Sequence, residues 1–80
     1  MNIKDIIVGD KYILYNHKKS RVGLSWKYFK YFQGQELIVT SKYQNFNNKN
    51  IVQIQGMYSF NDEYSLITFW CSPYDLKEIF

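Results

Sequence analysis

The sequence predicts a small all-β domain with one short helical turn near its end. Three observations carry that expectation. Gly9, Gly23, Gly34 and Gly56 punctuate the chain at intervals suited to a string of short strands, the stretches "QELIVTSKY" and "IVQIQGM" alternate apolar with polar residues, and a fifth of the residues are aromatic. Alternation with period two marks a pleated strand with one buried face, and aromatic rings suit such a surface.

Taken in order, Ile3, Ile6 and Ile7 have i, i+3, i+4 spacing and predict one helical turn. The "VGD" that follows turns the chain into a first strand at about residues 11–16. A polar segment, "NHKKSRVG", leads into "LSWKYFKYF", whose period fits two readings. As a strand, Leu24, Trp26, Tyr28 and Phe32 share one face, with Lys30 interrupting it; as a helix, Trp26, Phe29 and Phe32 approach one stripe. Nine residues so rich in aromatics favour the strand or an extended loop.

Beyond Gly34, Leu37 and Val39 are expected to point inward. "NFNNKN" is an asparagine-rich turn, and Val52 and Ile54 alternate with Gln53 and Gln55 to complete the clearest hairpin. "YSFNDE" is a second turn. The next strand, "YSLITFWC", is apolar on both faces, with Ile67, Phe69 and Cys71 on one and Leu66, Thr68 and Trp70 on the other. That pattern predicts burial on two sides or one exposed, sticky face. In "SPYDLKEIF", Ser72 is placed as an N-cap, Pro73 at the first helical position and Asp75 as the acid of a capping box. The turn should return Leu76 and Ile79 to the core, with a final strand at Ile79 and Phe80.

The totals bound the protein further. Eighty residues make one domain, residues 1–80, which buries roughly 60–65% of the surface its unfolded chain exposes. At 46% hydrophobic the sequence is too apolar for a disordered tail. No apolar run has the length of a membrane span, and charges interrupt the N-terminus where a signal peptide needs its apolar core, so no membrane association is expected and the location is read as cytoplasmic. Phe, Tyr, Met, Ile, Asn and Lys, the residues of AT-rich codons, make up 41 of the 80 positions, alanine is absent, and Arg21 is the one arginine. This bias fits bacteriophages of AT-rich hosts, the hosts themselves and several parasites alike; for a phage-encoded protein the compartment is the host cytoplasm.

Catalytic machinery is not assembled in this sequence. His17 lies beside Lys18 and Lys19 with no carboxylate within six residues to orient it. The seven carboxylates, Asp5, Asp10, Glu36, Asp62, Glu63, Asp75 and Glu78, show no metal-ligand spacing, and no glycine-rich phosphate loop is present. Cys71 is alone, cannot close an internal disulfide, and reads as a small buried hydrophobe near a strand end. The expectation is a protein that is not an enzyme and needs no cofactor or metal.

Binding is better supported. Residues 1–30 carry a net charge of +5 and residues 31–80 a net −2. Lys18, Lys19, Arg21, Lys27 and Lys30 fall in one stretch with Trp26, Tyr28, Phe29 and Tyr31, so one loop offers both phosphate charge and ring faces for bases. Lysine supplies point charge rather than the bidentate fork of arginine, so nucleic acid would be bound with little sequence specificity. The rival reading is a protein–protein interaction module in which Tyr58, Trp70 and Tyr74, with Trp26, form an exposed aromatic patch. A phage-encoded inhibitor or modulator of a host protein has this character, as does a homo-oligomer joined through strand edges.

The order of strand, long basic and aromatic loop, three-strand meander, helical turn and short last strand resembles an SH3-like small barrel. The likeness covers about residues 8–80. It is carried by "VGDKYIL", similar to the first strand of such barrels, by "GQELIVTSK", similar to the strand entered through a glycine after the long loop, and by "FWCSPYDLKEI", similar to the segment that closes the barrel. The resemblance implies an SH3-like five-stranded small barrel with a long first loop. Departures are specific. Peptide-binding SH3 domains of eukaryotic signalling have an "ALYDY"-like first strand, an acidic long loop and a tryptophan pair on the third strand; here the loop is basic and "IVQIQ" has no tryptophan. Pro73 and Tyr74 alone match the proline and tyrosine of that groove. The resemblance therefore points to the barrels of ribosomal, Tudor-type and phage accessory proteins, which bind nucleic acid or other proteins, and a fold of this kind does not fix which.

Overall fold

A computed structural model describes residues 1–15, 26–47 and 49–79, with Trp26, Lys27, Phe29, Asn45 and Phe46 described by backbone alone. Five antiparallel strands form one sheet in the order β4-β3-β2-β1-β5. They are β1 (Lys11–Leu14), β2 (Glu36–Phe46), β3 (Lys49–Phe60), β4 (Glu63–Cys71) and β5 (Leu76–Lys77). A helix, α1 (Trp26–Phe32), and two 3-10 turns, Ile3–Asp5 and Pro73–Asp75, complete the described elements. The all-β expectation holds. The sheet is open, however: β4 and β5 form its two edges, and among the described residues they do not pair with each other.

At the N-terminus the expected helical turn is the 3-10 turn, capped by the Asn2 side chain, which accepts from the Lys4 amide at 3.0 Å. It buries Ile3 and Ile6 and leaves Ile7 exposed. Gly9 takes a φ of +98° that a side chain would strain. Its amide donates to the Val39 carbonyl at 2.8 Å, and Val39 donates back to Asp10 at 3.0 Å, so the turn is stitched to β2 before β1 begins. Within β1, Tyr12 and Leu14 face the core. The Tyr12 hydroxyl accepts from the Ile7 amide at 2.9 Å.

Residues 26–32 are helical, not extended as their aromatic content favours. The reason is burial. Tyr28, Tyr31 and Phe32 have the i, i+3, i+4 spacing that a helix gathers on one side, and that side lies on the sheet: Phe32 is fully buried and the two tyrosines half-buried, while Lys30 faces solvent. Tertiary packing overrides the weak preference of aromatic residues for strands. Gly34, at φ +82°, stops the helix as a left-handed C-terminal residue, with the Gln35 amide returning to the Phe32 carbonyl at 2.9 Å. The Gln35 side-chain amide donates to the Tyr31 carbonyl as well. Residues 16–25, with Leu24 and Ser25 of the predicted aromatic strand and the end of the predicted first strand, lie outside the described residues.

One residue of β2 reorganises everything after it. Val39 pairs with Ile54 but Ser41 pairs with Gln53, so Thr40 is the extra residue of a bulge, its hydroxyl 3.0 Å from the Gln53 side-chain oxygen. Beyond the bulge the alternation changes phase. Lys42 comes opposite the buried Val52, on the core side, while Ser41 and Tyr43 take the outer side. The Lys42 ammonium then donates to the carbonyls of Ile6 at 2.7 Å and Ile3 at 3.3 Å, satisfying the end of the N-terminal 3-10 turn.

β3 and β4 pair in unbroken register from Val52 opposite Cys71 to Phe60 opposite Glu63. The loop between them has two residues, Asn61 at φ +51° and Asp62 at φ +63°, the left-handed pair that a type I′ hairpin requires. Ser72, Pro73 and Asp75 take their predicted capping roles, with the Ser72 amide donating to the Asp75 carboxylate at 3.2 Å and the Tyr74 amide to the Ser72 hydroxyl at 3.2 Å. The last strand comes earlier than expected, at Leu76–Lys77, because Leu76 pairs with Leu14 directly after the turn. Leu76 is buried as predicted; Ile79 is exposed, and Phe80 lies outside the described residues.

The core lies on one side of the sheet. Leu14, Leu37, Val39, Val52, Ile54, Phe69 and Leu76 are covered by Ile3, Ile6 and Phe32 from the turns and α1.

Candidate interaction surface

The opposite face of the sheet carries the surface of interest. Strand alternation sends Met57 of β3 and Tyr64, Leu66, Thr68 and Trp70 of β4 away from the core, and the Thr40 bulge adds Tyr43 of β2. Met57 and Leu66 stand directly opposite each other, 52% and 59% exposed. Trp70 and Tyr43 form a tilted ring pair with centroids 5.3 Å apart. Between these groups Gln53 and Gln55 present amides. No charged side chain falls on the outward positions of β3 from Ile51 to Ser59 or of β4 from Tyr64 to Trp70.

A cluster of this kind on a sheet face, uncovered by any described element, differs from the scattered apolar residues normal on a surface. Aromatic residues and methionine are the types enriched at protein interfaces, and lysine and glutamate the types depleted. The "YSLITFWC" pattern signalled the face in the sequence. Tyr43 was not signalled, because its side depends on the bulge.

The residues first proposed for nucleic acid are divided. Lys18, Lys19 and Arg21 lie outside the described residues, and only the backbone of Trp26 and Lys27, at the start of α1, is described. Lys30 is exposed on α1. Tyr28 and Tyr31 meet Tyr58 edge-on at centroid distances of 4.9 and 4.7 Å, so their rings are engaged with β3.

The aromatic patch first proposed for a protein partner is divided too. Tyr58 is on the core side under α1, half-buried and stacked at 6.5 Å with Phe60. Trp70 is on the outer face. Tyr74 is exposed on the second 3-10 turn. Tyr58 is separated from Trp70 by the sheet itself, since it pairs across β3–β4 with Ser65 while Trp70 pairs with Gln53, in the opposite phase of the alternation.

Elsewhere, an open cleft of about 380 Å³ beside the N-terminal turn is lined by Asp5, Asp10, Lys11 and Glu78 with Ile7, Tyr12 and Ile79. Among the described residues no group of three or more His, Cys, Asp and Glu is placed to hold a metal ion. Cys71 is buried at the end of β4, and burial, with the nearby Asp75 charge adding, pushes its thiol far above the ordinary range. It is a protonated core residue rather than a nucleophile. No described helix is long and apolar enough to cross a membrane.

Comparison with known proteins returns no match: no family model fits the chain, and no curated protein or solved structure is significantly similar to it.

Proposed function

We propose that this chain is a non-catalytic binding module that holds a protein partner on the outer face of its β2-β3-β4 sheet. The observation that carries the reading is the uncharged outer stretch of β3 from Ile51 to Ser59 and of β4 from Tyr64 to Trp70, which holds the Tyr43–Trp70 ring pair at one end and the exposed Met57–Leu66 pair toward the other. Rings of this kind supply large contact area at small entropic cost, and they anchor interfaces best where water is excluded around them. A partner protein with an apolar surface fits that stretch; a polyphosphate strand fits it poorly, because the described lysines in the outward phase, Lys49 at the first position of β3 and Lys11 on β1, stand at its margins rather than among these side chains.

The architecture proposed is the SH3-like one. In its support, β1 lies between β2 and β5, the three middle strands form a meander, and a single 3-10 turn separates β4 from β5. A small cytoplasmic module of this sort acts as a modulator of another protein.

Nucleic-acid binding through Lys18, Lys19, Arg21 and Lys27 is the reading this displaces, since Tyr28 and Tyr31 spend their rings on Tyr58. One comparison tests the choice. The full chain is used as bait against an extract of its source cells, beside Met57→Lys and a Lys18→Ala/Lys19→Ala/Arg21→Ala triple variant, and labelled oligonucleotides are titrated in parallel at low salt. A defined protein held by the wild type and the triple variant, and lost at least tenfold by Met57→Lys, supports the proposal. Oligonucleotide binding that Met57→Lys retains and the triple variant loses replaces it.

A further inference from the structure

Among the described residues, the edge of β4 that faces away from β3 shows none of the devices by which monomeric sheets protect an edge. Among the described residues β4 pairs on one side alone, with β3; it runs nine residues without a register shift. It contains no lysine, arginine or proline, and its one charge, Glu63, stands at its first position. Edges of stable monomers are kept short, bulged, charged or interrupted by proline, because a regular row of unpaired N–H and C=O groups recruits another strand. The opposite edge, β5, is protected in this way: it spans two residues and carries Lys77.

We propose that β4 pairs antiparallel with β4 of a second copy of this chain, about a two-fold axis through Ile67. The hairpin geometry fixes which groups are available. Across a two-residue I′ turn the flanking residues, Phe60 and Glu63, form a hydrogen-bonded pair, and bonded and non-bonded pairs then alternate. Ser65, Ile67, Phe69 and Cys71 are thereby committed to β3. The amides and carbonyls of Tyr64, Leu66, Thr68 and Trp70 are directed at the free edge.

A two-fold axis matches residues at equal distances on either side of it. Placed at Ile67, it brings Tyr64 opposite Trp70 of the second copy and Leu66 opposite Thr68, each reciprocally. Moved one position toward either end, it leaves at least one outward-directed residue of the four without an equivalent. At two bonds per bonded pair the seam holds about eight backbone hydrogen bonds.

The side chains agree with the backbone. Tyr64 and Trp70 lie on the same outer face, so the axis creates two cross-strand aromatic pairs, a favourable combination in sheets. Charge permits a second copy: residues 64–71 are neutral, and Glu63 falls opposite Cys71 of the second copy rather than opposite its own equivalent. Nothing in the seam uses Met57 or Tyr43. Pairing therefore leaves the outer faces open and joins two of them into one continuous surface, and it stands whether or not a protein partner docks there.

Sedimentation velocity of the full chain over a wide concentration range tests the proposal, expecting a dimer that dissociates on dilution. Thr68→Pro removes one edge amide without touching a bond to β3, an arrangement edge strands tolerate; it should give a monomer with an unchanged circular dichroism spectrum. Cysteine cross-linking supplies a second reading that does not depend on that variant folding. The two Ile67 positions form a non-bonded pair with Cα atoms about 4.5 Å apart, within disulfide reach, so Ile67→Cys should cross-link under mild oxidation and Ser65→Cys should not. Sedimentation as a monomer throughout, or cross-linking of Ser65→Cys as readily as Ile67→Cys, overturns the proposal. Met57→Lys should leave the dimer intact, so loss of a protein partner and loss of pairing are read separately.

Discussion

Phe32 lies over Gly56, so closely that a Cβ at position 56 would stand 2.6 Å from its Cε1 atom and 2.5 Å from Cδ2 of Leu37. The glycine in the middle of β3 is thus explained by approach rather than by a turn. It is the floor on which the end of α1 rests, and it lets the helix sit close enough to bury Phe32 fully. Gly56→Ala should overpack this contact and cost about 1–3 kcal/mol. Urea denaturation checks it, and Phe32→Leu in the Gly56→Ala background should recover part of the loss if the clash is with the ring.

Lys42 offers the second prediction. Its ammonium bridges two carbonyls of the N-terminal segment, and Lys42→Met keeps the stem but removes the donor. Losing hydrogen bonds from a charged group at a half-buried site should lower stability by about 1–2 kcal/mol. Hydrogen exchange should locate the effect, with the amides of residues 5–7 exchanging faster while those of β3 change little.

The type I′ turn is tuned by Asp62. At φ +63° a β-branched residue is strained, so Asp62→Val should destabilise the fold by about 1–2 kcal/mol, whereas Asp62→Gly should leave it as stable or more so. Thermal melts of the two variants beside the wild type decide the sign.

Much of this fold was legible because its local signals agree with one another. The alternation of Leu37 and Val39, and of Val52 and Ile54, gave the central strands, and the Ser72–Pro73–Asp75 spacing gave the last turn. α1 is not legible in the sequence because "WKYFKYF" fits both periods, and what decides between them is the sheet surface around Gly56 that the helix covers. The candidate surface was half legible: Leu66 and Trp70 showed as a second apolar face of one strand. Tyr43 is not assignable from the sequence, since a bulge at Thr40 sets its side, whereas Tyr58 shares the inward phase of Val52 and Ile54 and so falls on the opposite side from Trp70 rather than in one patch with it.

Cys71 sets a pH prediction. Its thiol keeps its proton in the native state at pH values where the unfolded chain, titrating near the ordinary 9.0, has released it. A pKa raised by folding means the stability contributed is complete below the unfolded-state value and is lost as pH rises from there toward the folded-state one. The wild-type unfolding free energy minus that of Cys71→Val should be constant up to about pH 8.5 and fall in more alkaline buffer. A difference that stays level through the alkaline range would refute a buried, protonated thiol.

The central claim, that the outer sheet face is the working surface, is tested most directly by photo-cross-linking in source cells, with benzoylphenylalanine replacing Met57 in one strain and Lys19 in another. A single protein adduct at Met57, with no nucleic-acid adduct at Lys19, is the predicted result. Nucleic acid attached at Lys19 and nothing attached at Met57 would contradict it.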